Sequence, residues 1–316
     1  MKKIIKDKVL LVSIILTAIF FGTGIAFLFM GLTRYGWALF VLLPVVLGMV
    51  LGALPGRKTV MAGAILCTIV LLIGLYSLGA SGFLCVLMVL PIIIPLMFFG
   101  HLIAFFIKRY LGAHDTDTLP VLLLPLFVFL IAAPVEQTLT KNEESIVSVS
   151  TTKIFNYTRE QVYDAIKSVD TMDAPKPFLM YLDLPVPVKC VLEKEAVGGT
   201  RTCYFKSGNL SRADFGAGTI TEKITALERG KLLKMAVTDY QLIGRKWLGF
   251  REAIYYFEKA GVGGCRLTRV TTYTSVLAPR FYWQPLEQLG IRQEHDYVFA
   301  NLEKDLAAKY KQPYTR

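Results

Sequence analysis

Arg201, Glu222 and His295 are the residues of this 316-residue chain whose types and settings could do chemistry. Side chains of an extended segment alternate between faces, so in the run 200–207 Arg201, Cys203 and Phe205 point the same way. In 218–227, Ile220, Glu222, Ile224 and Ala226 share a face. Each set mixes a charge with apolar residues, which marks the face turned inward. His295 falls on the stripe Ile291, Val298, Leu302 and Leu306, apolar at helical spacing. Arg269 and Tyr273 share one face of the last strand-like run, 264–276. An isolated buried charge is very costly, so Arg201 and Glu222 are expected to pair, with His295 facing them. Such a cluster could orient a ligand or transfer protons. It could equally be an ion pair with a nearby histidine that serves only the fold.

Other chemistry finds little support. The phosphate-binding signature G-x-x-x-x-G-K-[ST], the zinc signature H-E-x-x-H and the nucleophile elbow G-x-S-x-G are all missing. Three histidines and five cysteines without C-x-x-C spacing argue against a metal site or a disulfide framework. No cofactor is implied. Net charge is +11, but the soluble half lacks a basic run, which speaks against nucleic acid.

The elements that would position these residues follow from pattern. Residues 137–145 read as a polar linker. Residues 146–155 alternate and are rich in Val, Ser and Thr, as a strand would be. Thr158 and Gln161 form a capping box that opens a helix to about Val169. Four prolines in 171–187 exclude a long helix there. Strand-like runs follow at about 187–196, 200–207, 218–227, 231–239, 250–259 and 264–276, several of them separated by glycine turns. A helix from Gln284 or Ile291 to Tyr310 closes the chain. A two-residue turn at Gly198-Gly199 would set Ala196 opposite Thr200 and Cys190 opposite Lys206. Cys190 and Cys203 should then remain unbridged even in an oxidising compartment.

The order is strand, helical segment, six antiparallel strands, long C-terminal helix. Together with Gly199-Thr-Arg-Thr-Cys-Tyr-Phe205, Gly218-Thr-Ile-Thr-Glu222 and Thr268-Arg-Val-Thr-Thr-Tyr273, it resembles the SRPBCC or START-like superfamily. That group includes polyketide cyclase/dehydrase-like and Bet v 1-like proteins. The resemblance covers about residues 146–311. It implies an α+β helix-grip domain, an antiparallel sheet around a long helix, with a cavity for a lipid, polyketide or other apolar ligand. Arg201, Cys203, Phe205, Glu222, Ile224, Arg269, Tyr273 and His295 are the candidate lining. The superfamily shares no universal catalytic set, so no catalytic residue carries over.

The first half differs in kind. Of 35 basic and 24 acidic side chains, residues 1–136 hold only nine and four. Apolar runs at about 9–32, 36–54, 59–79, 82–107 and 118–135 suggest an all-α bundle of five transmembrane helices. Val9 to Leu32 is too long for a signal-peptide core and lacks a cleavage site, so it reads as retained. With five spans, Lys2, Lys3, Lys6, Lys8, Arg57, Lys58, Lys108 and Arg109 share one side, against Arg34 on the other. The positive-inside rule then places the N-terminus in the cytoplasm. The C-terminal domain would be periplasmic or extracellular, on a multi-pass protein of a bacterial inner or plasma membrane. Gly48, Gly52 and Gly56 would allow close helix packing within the bundle or a dimer face. His101, the one ionisable group deep in a run, reads as structural or interfacial. Phe281-Tyr282-Trp283 could rest at the lipid headgroups.

Three functions fit. The first is a membrane-tethered module holding an apolar or lipid-like ligand beside the bilayer, with membrane lipids as partners. The second is a cyclase-, aromatase- or hydrolase-type enzyme using Glu222, His295 and Tyr273. The third is a structural or regulatory protein with a closed interior. Fold alone does not choose between them, and the missing catalytic signatures put the first ahead.

Overall fold

The computed structural model describes residues 2–79, 81–111, 118–141, 143–212, 214–244 and 247–310. Residues 112–117, within the expected loop 108–118, and Lys311 lie outside them, as do the side chains of 118–123. The chain forms two compact units. One comprises Met1–Leu78, Cys85–Glu143 and Val276–Trp283; the other comprises Gly79–Leu84, Glu144–Ser275 and Gln284–Arg316.

The first unit is helical: α1 (Lys2–Phe29), α2 (Leu43–Ala53), α3 (Arg57–Ser77), α4 (Phe83–Leu111) and α5 (Thr118–Thr140), with one π-helical turn, Ala38–Leu42, leading into α2. Among the described residues three helices, not five, are long and apolar enough to cross a membrane: Lys8–Phe29, Lys58–Ser77 and Phe83–Tyr110. The other two candidates, Ala38–Ala53 and Leu124–Thr140, are shorter apolar helices. Residues 35 and 36 bend the chain before the first of these. The Glu136 carboxylate caps it, accepting from the Trp37 and Ala38 N–H groups at 2.7 Å each.

Glycines set the helix spacing. A Cβ on Gly48 would collide with the Met97 carbonyl, one on Gly100 with the Val45 carbonyl, and one on Gly52 with Ala104. The small-residue ladder therefore serves packing of α2 on α4 within the bundle. Gly56 is instead the left-handed residue before α3, at φ 83°. His101 is buried in that contact, its backbone nitrogen facing Gly48. Trp283 is buried and packs on Phe40 with ring centroids 4.8 Å apart, so it is not a headgroup anchor. Phe281 is exposed, 6.0 Å from Trp37.

The second unit is a seven-stranded antiparallel sheet with a long helix. Its strands are β1 (Ser145–Phe155), β2 (Val186–Leu192), β3 (Thr200–Lys206), β4 (Gly218–Glu228), β5 (Leu232–Leu242), β6 (Leu248–Ala260) and β7 (Gly264–Ser275). They run in the order β1-β7-β6-β5-β4-β3-β2. Register shifts at Pro187/Lys189, Thr221/Glu222, Ile224/Ala226 and Phe250/Glu252 are the bulges that bend such a sheet. Two short helices follow β1. α6 (Arg159–Ile166) opens on the expected capping box of Thr158 and Gln161. α7 (Phe178–Leu182) follows the proline-rich stretch. The chain then ends in α8 (Arg280–Tyr310), longer at its start than the sequence suggested. The main core joins Val298, Phe299, Leu302 and Leu306 of α8 to Ile224, Leu233, Met235, Tyr255, Phe257 and Leu267 of the sheet. Helix α5 runs through Thr140, so four residues of the expected linker 137–145 are helical.

The expectation for the cysteines is overturned. Cys190 and Cys203 form a disulfide. The β2–β3 turn is longer than two glycines: Glu193 N–H bonds the Thr200 carbonyl, and Leu192 pairs with Arg201. That moves the register by three residues. Cys190 then lies opposite Cys203 on the same face, 4.0 Å between Cα atoms. Intact-mass measurement on unreduced protein should give a value two hydrogens lighter than after reduction and denaturation. Equal masses would restore the shorter turn.

Candidate functional site

The inner face of β7 carries a polar stripe. Cys265, Leu267, Arg269, Thr271, Tyr273 and Ser275 alternate inward and are buried. From Arg269 to Ser275 each meets a polar group of α8. Arg269 Nη2 lies 2.9 Å from Glu294 Oε2. Thr271 Oγ1 shares a hydrogen bond with His295 Nε2 at 2.8 Å. Tyr273 donates to Glu287 at 3.0 Å and Ser275 to the same carboxylate at 2.6 Å. The spacing 287, 294, 295 keeps these groups on the inward face of one helix.

Beside the stripe lies the predicted ion pair. Arg201 and Glu222 are directly opposed on β3 and β4. Arg201 Nε is 2.7 Å and Nη2 2.6 Å from Glu222 Oε2. Arg201 Nη1 reaches the Ile166 carbonyl at 3.4 Å. Tyr255 of β6 joins the two halves, with the Arg201 and Arg269 guanidiniums each 5.5 Å from its ring centroid. Burial works against the Arg201 charge, but Glu222 and then Tyr255 outweigh it, so its pKa is raised. Arg269 is likewise raised: burial opposes its charge, and Glu294 and Tyr255 prevail over the like charge of Arg201. Burial pushes the Glu294 carboxyl up, against the pull of Arg269.

His295 does not face Arg201 and Glu222. Its Nδ1 meets Thr151 Oγ1 of β1 at 2.9 Å, and its Nε2 meets Thr271. Burial, then the Arg269 charge, lowers its pKa to about 2, so the ring is neutral. One ring nitrogen donates and the other accepts. The group that faces the ion pair from α8 is Glu294, which the apolar stripe did not single out. A second signal would have found it: Arg269 needs an acid, and Glu294 is one residue before His295.

The remaining candidates have other settings. Cys203 is bridged. Phe205 is half-buried against a separate cluster with Val186 and Tyr297. Ile224 belongs to the main core. Among the described residues no group of three His, Cys, Asp or Glu side chains could hold a metal. Arg269 keeps spare donors beside its pair: its Nε and Nη1 are buried and meet no acceptor among the described residues.

No family model matches the chain, and no curated protein matches it. Solved structures do. An aromatase/cyclase from a Streptomyces species shares 12% identity over 52% of this chain and 95% of its own, at TM-score 0.37. An AHSA1-like protein from Aeromonas hydrophila shares 13% over 54% and 99%, at 0.35. A protein from Nitrosomonas europaea shares 12% over 52% and 97%, at 0.38. The C-terminal half is itself a curled antiparallel sheet with two short helices after β1 and a long closing helix, a helix-grip arrangement.

Proposed function

We propose that this protein is a membrane-tethered binding module whose helix-grip domain holds an apolar molecule bearing one polar oxygen group. The observation that carries the reading is Arg269. A buried donor without an acceptor costs about 1–3 kcal/mol, more when charged. Two such donor nitrogens on one guanidinium, between sheet and helix, suit a ligand carboxylate or carbonyl. The groups suggested for acid–base work are engaged elsewhere: Glu222 by Arg201, Tyr273 by Glu287, and both His295 nitrogens by threonines. That leaves catalysis without a supporting group.

Contacts within each unit support a topology. Arg34, after α1, donates to the carbonyls of Thr140 and of Glu143 at the end of α5. The Leu84 N–H, at the start of α4, donates to Asp183 of the sheet domain at 3.2 Å. These ends share one side of the bilayer if α2, though short, and α5 return the chain across. The N-terminal Lys2, Lys3, Lys6 and Lys8 then mark the cytoplasmic side. The domain lies opposite, where an oxidising environment would maintain the Cys190–Cys203 bridge.

The test is extraction and mass spectrometry of molecules that co-purify with the full chain. The expected result is one apolar acid or carbonyl compound in near-stoichiometric amount, lost from Arg269→Leu. Recovery of bulk phospholipid alone, or equal recovery from the variant, would overturn the reading.

A further inference from the structure

We propose that one end of the sheet domain, formed by α7 and the described residues of the β3–β4 and β5–β6 loops, is a second membrane contact that seats on anionic lipid headgroups. This rests on the reading that apolar helices of the chain cross a bilayer, and it adds a surface that reading does not require.

Register defines the end. Val186, Lys206, Gly218, Leu242 and Leu248 all lie there, together with Ser145, where the chain enters from α5. Backbone hydrogen bonds join its pieces. Asn209 and Leu210 N–H groups bond the carbonyls of Tyr181 and Leu182, and Gly216 N–H bonds the Ile243 carbonyl. A built contact also ties this end to the start of a long apolar helix. Asp183 accepts from the Leu84 N–H, and a Cβ on Gly82 would meet Asp183 and Phe215.

The surface has the chemistry of a bilayer interface. Phe178 is 67% exposed, Tyr181 55%, Ile243 50% and Leu210 38%. Large apolar side chains gathered at one end of a domain mark a contact surface. Tyr in particular suits the headgroup level, with its ring in the apolar region and its hydroxyl in water. Two lysines stand beside them. Lys176 donates to the Asn209 side chain at 3.1 Å and is near enough to Lys206 that the two repel, lowering the Lys176 pKa after the larger effect of burial. A basic pair next to exposed aromatics complements anionic headgroups. The opposite end of the sheet, at the β6–β7 turn, carries Val262, fully exposed, and serves as the control.

The experiment uses the full chain with Cys67, Cys85 and Cys265 replaced by alanine. Nitroxide labels are placed at Tyr181→Cys, Ile243→Cys and Val262→Cys. Vesicles are phosphatidylcholine alone or phosphatidylcholine with phosphatidylglycerol. With the anionic lipid, labels at 181 and 243 should collide severalfold more often with oxygen than with a water-soluble nickel chelate, and the label at 262 should show the reverse. Lys176→Glu with Lys206→Glu should abolish the difference. Labels at 181 and 243 as accessible to nickel as the label at 262 would overturn the proposal. So would equal contact in both vesicle types, which would remove the anionic requirement. Poor access to both reagents with dipolar broadening would show a second copy of the chain instead. Release of the chain by alkaline carbonate would overturn the underlying spanning reading. Retention with water-exposed labels would overturn this proposal alone.

Discussion

Glu222→Ala is expected to destabilise the sheet domain by about 3–5 kcal/mol, because it leaves the Arg201 guanidinium buried with its main counter-charge removed. Arg201 cannot shed its proton to escape the cost, since arginine stays charged in proteins. Replacing both partners with apolar residues of similar length, Arg201→Met with Glu222→Leu, should cost much less and could be near neutral. The sign of that difference separates an ion pair that supplies stability from one whose danger lies in being broken. A double-mutant cycle by urea unfolding of the chain from residue 141 onward measures it. A coupling of about 0–1 kcal/mol, typical of exposed pairs, would show that the pair is solvated and that the interior is open at this level.

The second large effect is acid sensitivity. His295 is held neutral, with its pKa lowered to about 2 by burial and then by Arg269. The unfolded chain takes up a proton near pH 6.5. Its contribution is therefore fully present above that pH and is lost as pH falls toward the folded value. At about 1.4 kcal/mol per pH unit, the loss reaches about 2–3 kcal/mol by pH 4.5. Glu294 and Asp305 act in the opposite sense. Burial raises both, so their penalty is relieved as pH falls through the carboxylate range. Comparing His295→Gln with the parent removes those shared contributions. The parent should lose stability more steeply than the variant between pH 6.5 and 4.5. Parallel slopes would mean that the imidazole is charged or exposed.

The architecture of the second half was legible because its signals are local and periodic. Alternation in 200–207 and 218–227 correctly placed Arg201 and Glu222 on inward faces, since a strand with one buried side has no other register open to it. The Thr158–Gln161 capping box is a contact between neighbours in sequence and forms as read. Burial cost alone then required an acid beside the arginine, and cross-strand geometry supplied it.

Other features depended on distances that periodicity does not encode. The Cys190–Cys203 bridge turned on the length of one hairpin loop: three residues of register carried Cys203 from the wrong face to a directly opposed position. His295 was rightly placed on the inward stripe but wrongly partnered. Rotation of α8 over the sheet, a matter of side-chain packing along the whole contact, put Glu294 rather than His295 beside the two arginines. The helical half shows the same division. Apolar runs lie over the helices described there, but helix ends were set by the left-handed Gly31 after α1, the left-handed Gly56 before α3 and the Glu136 cap at the π-helical turn. Sequence thus determined where backbone is buried and which faces are polar, because transfer from water is a property of each residue. Tertiary structure decided which buried charge meets which, because that depends on ångström-scale register between elements far apart in the chain.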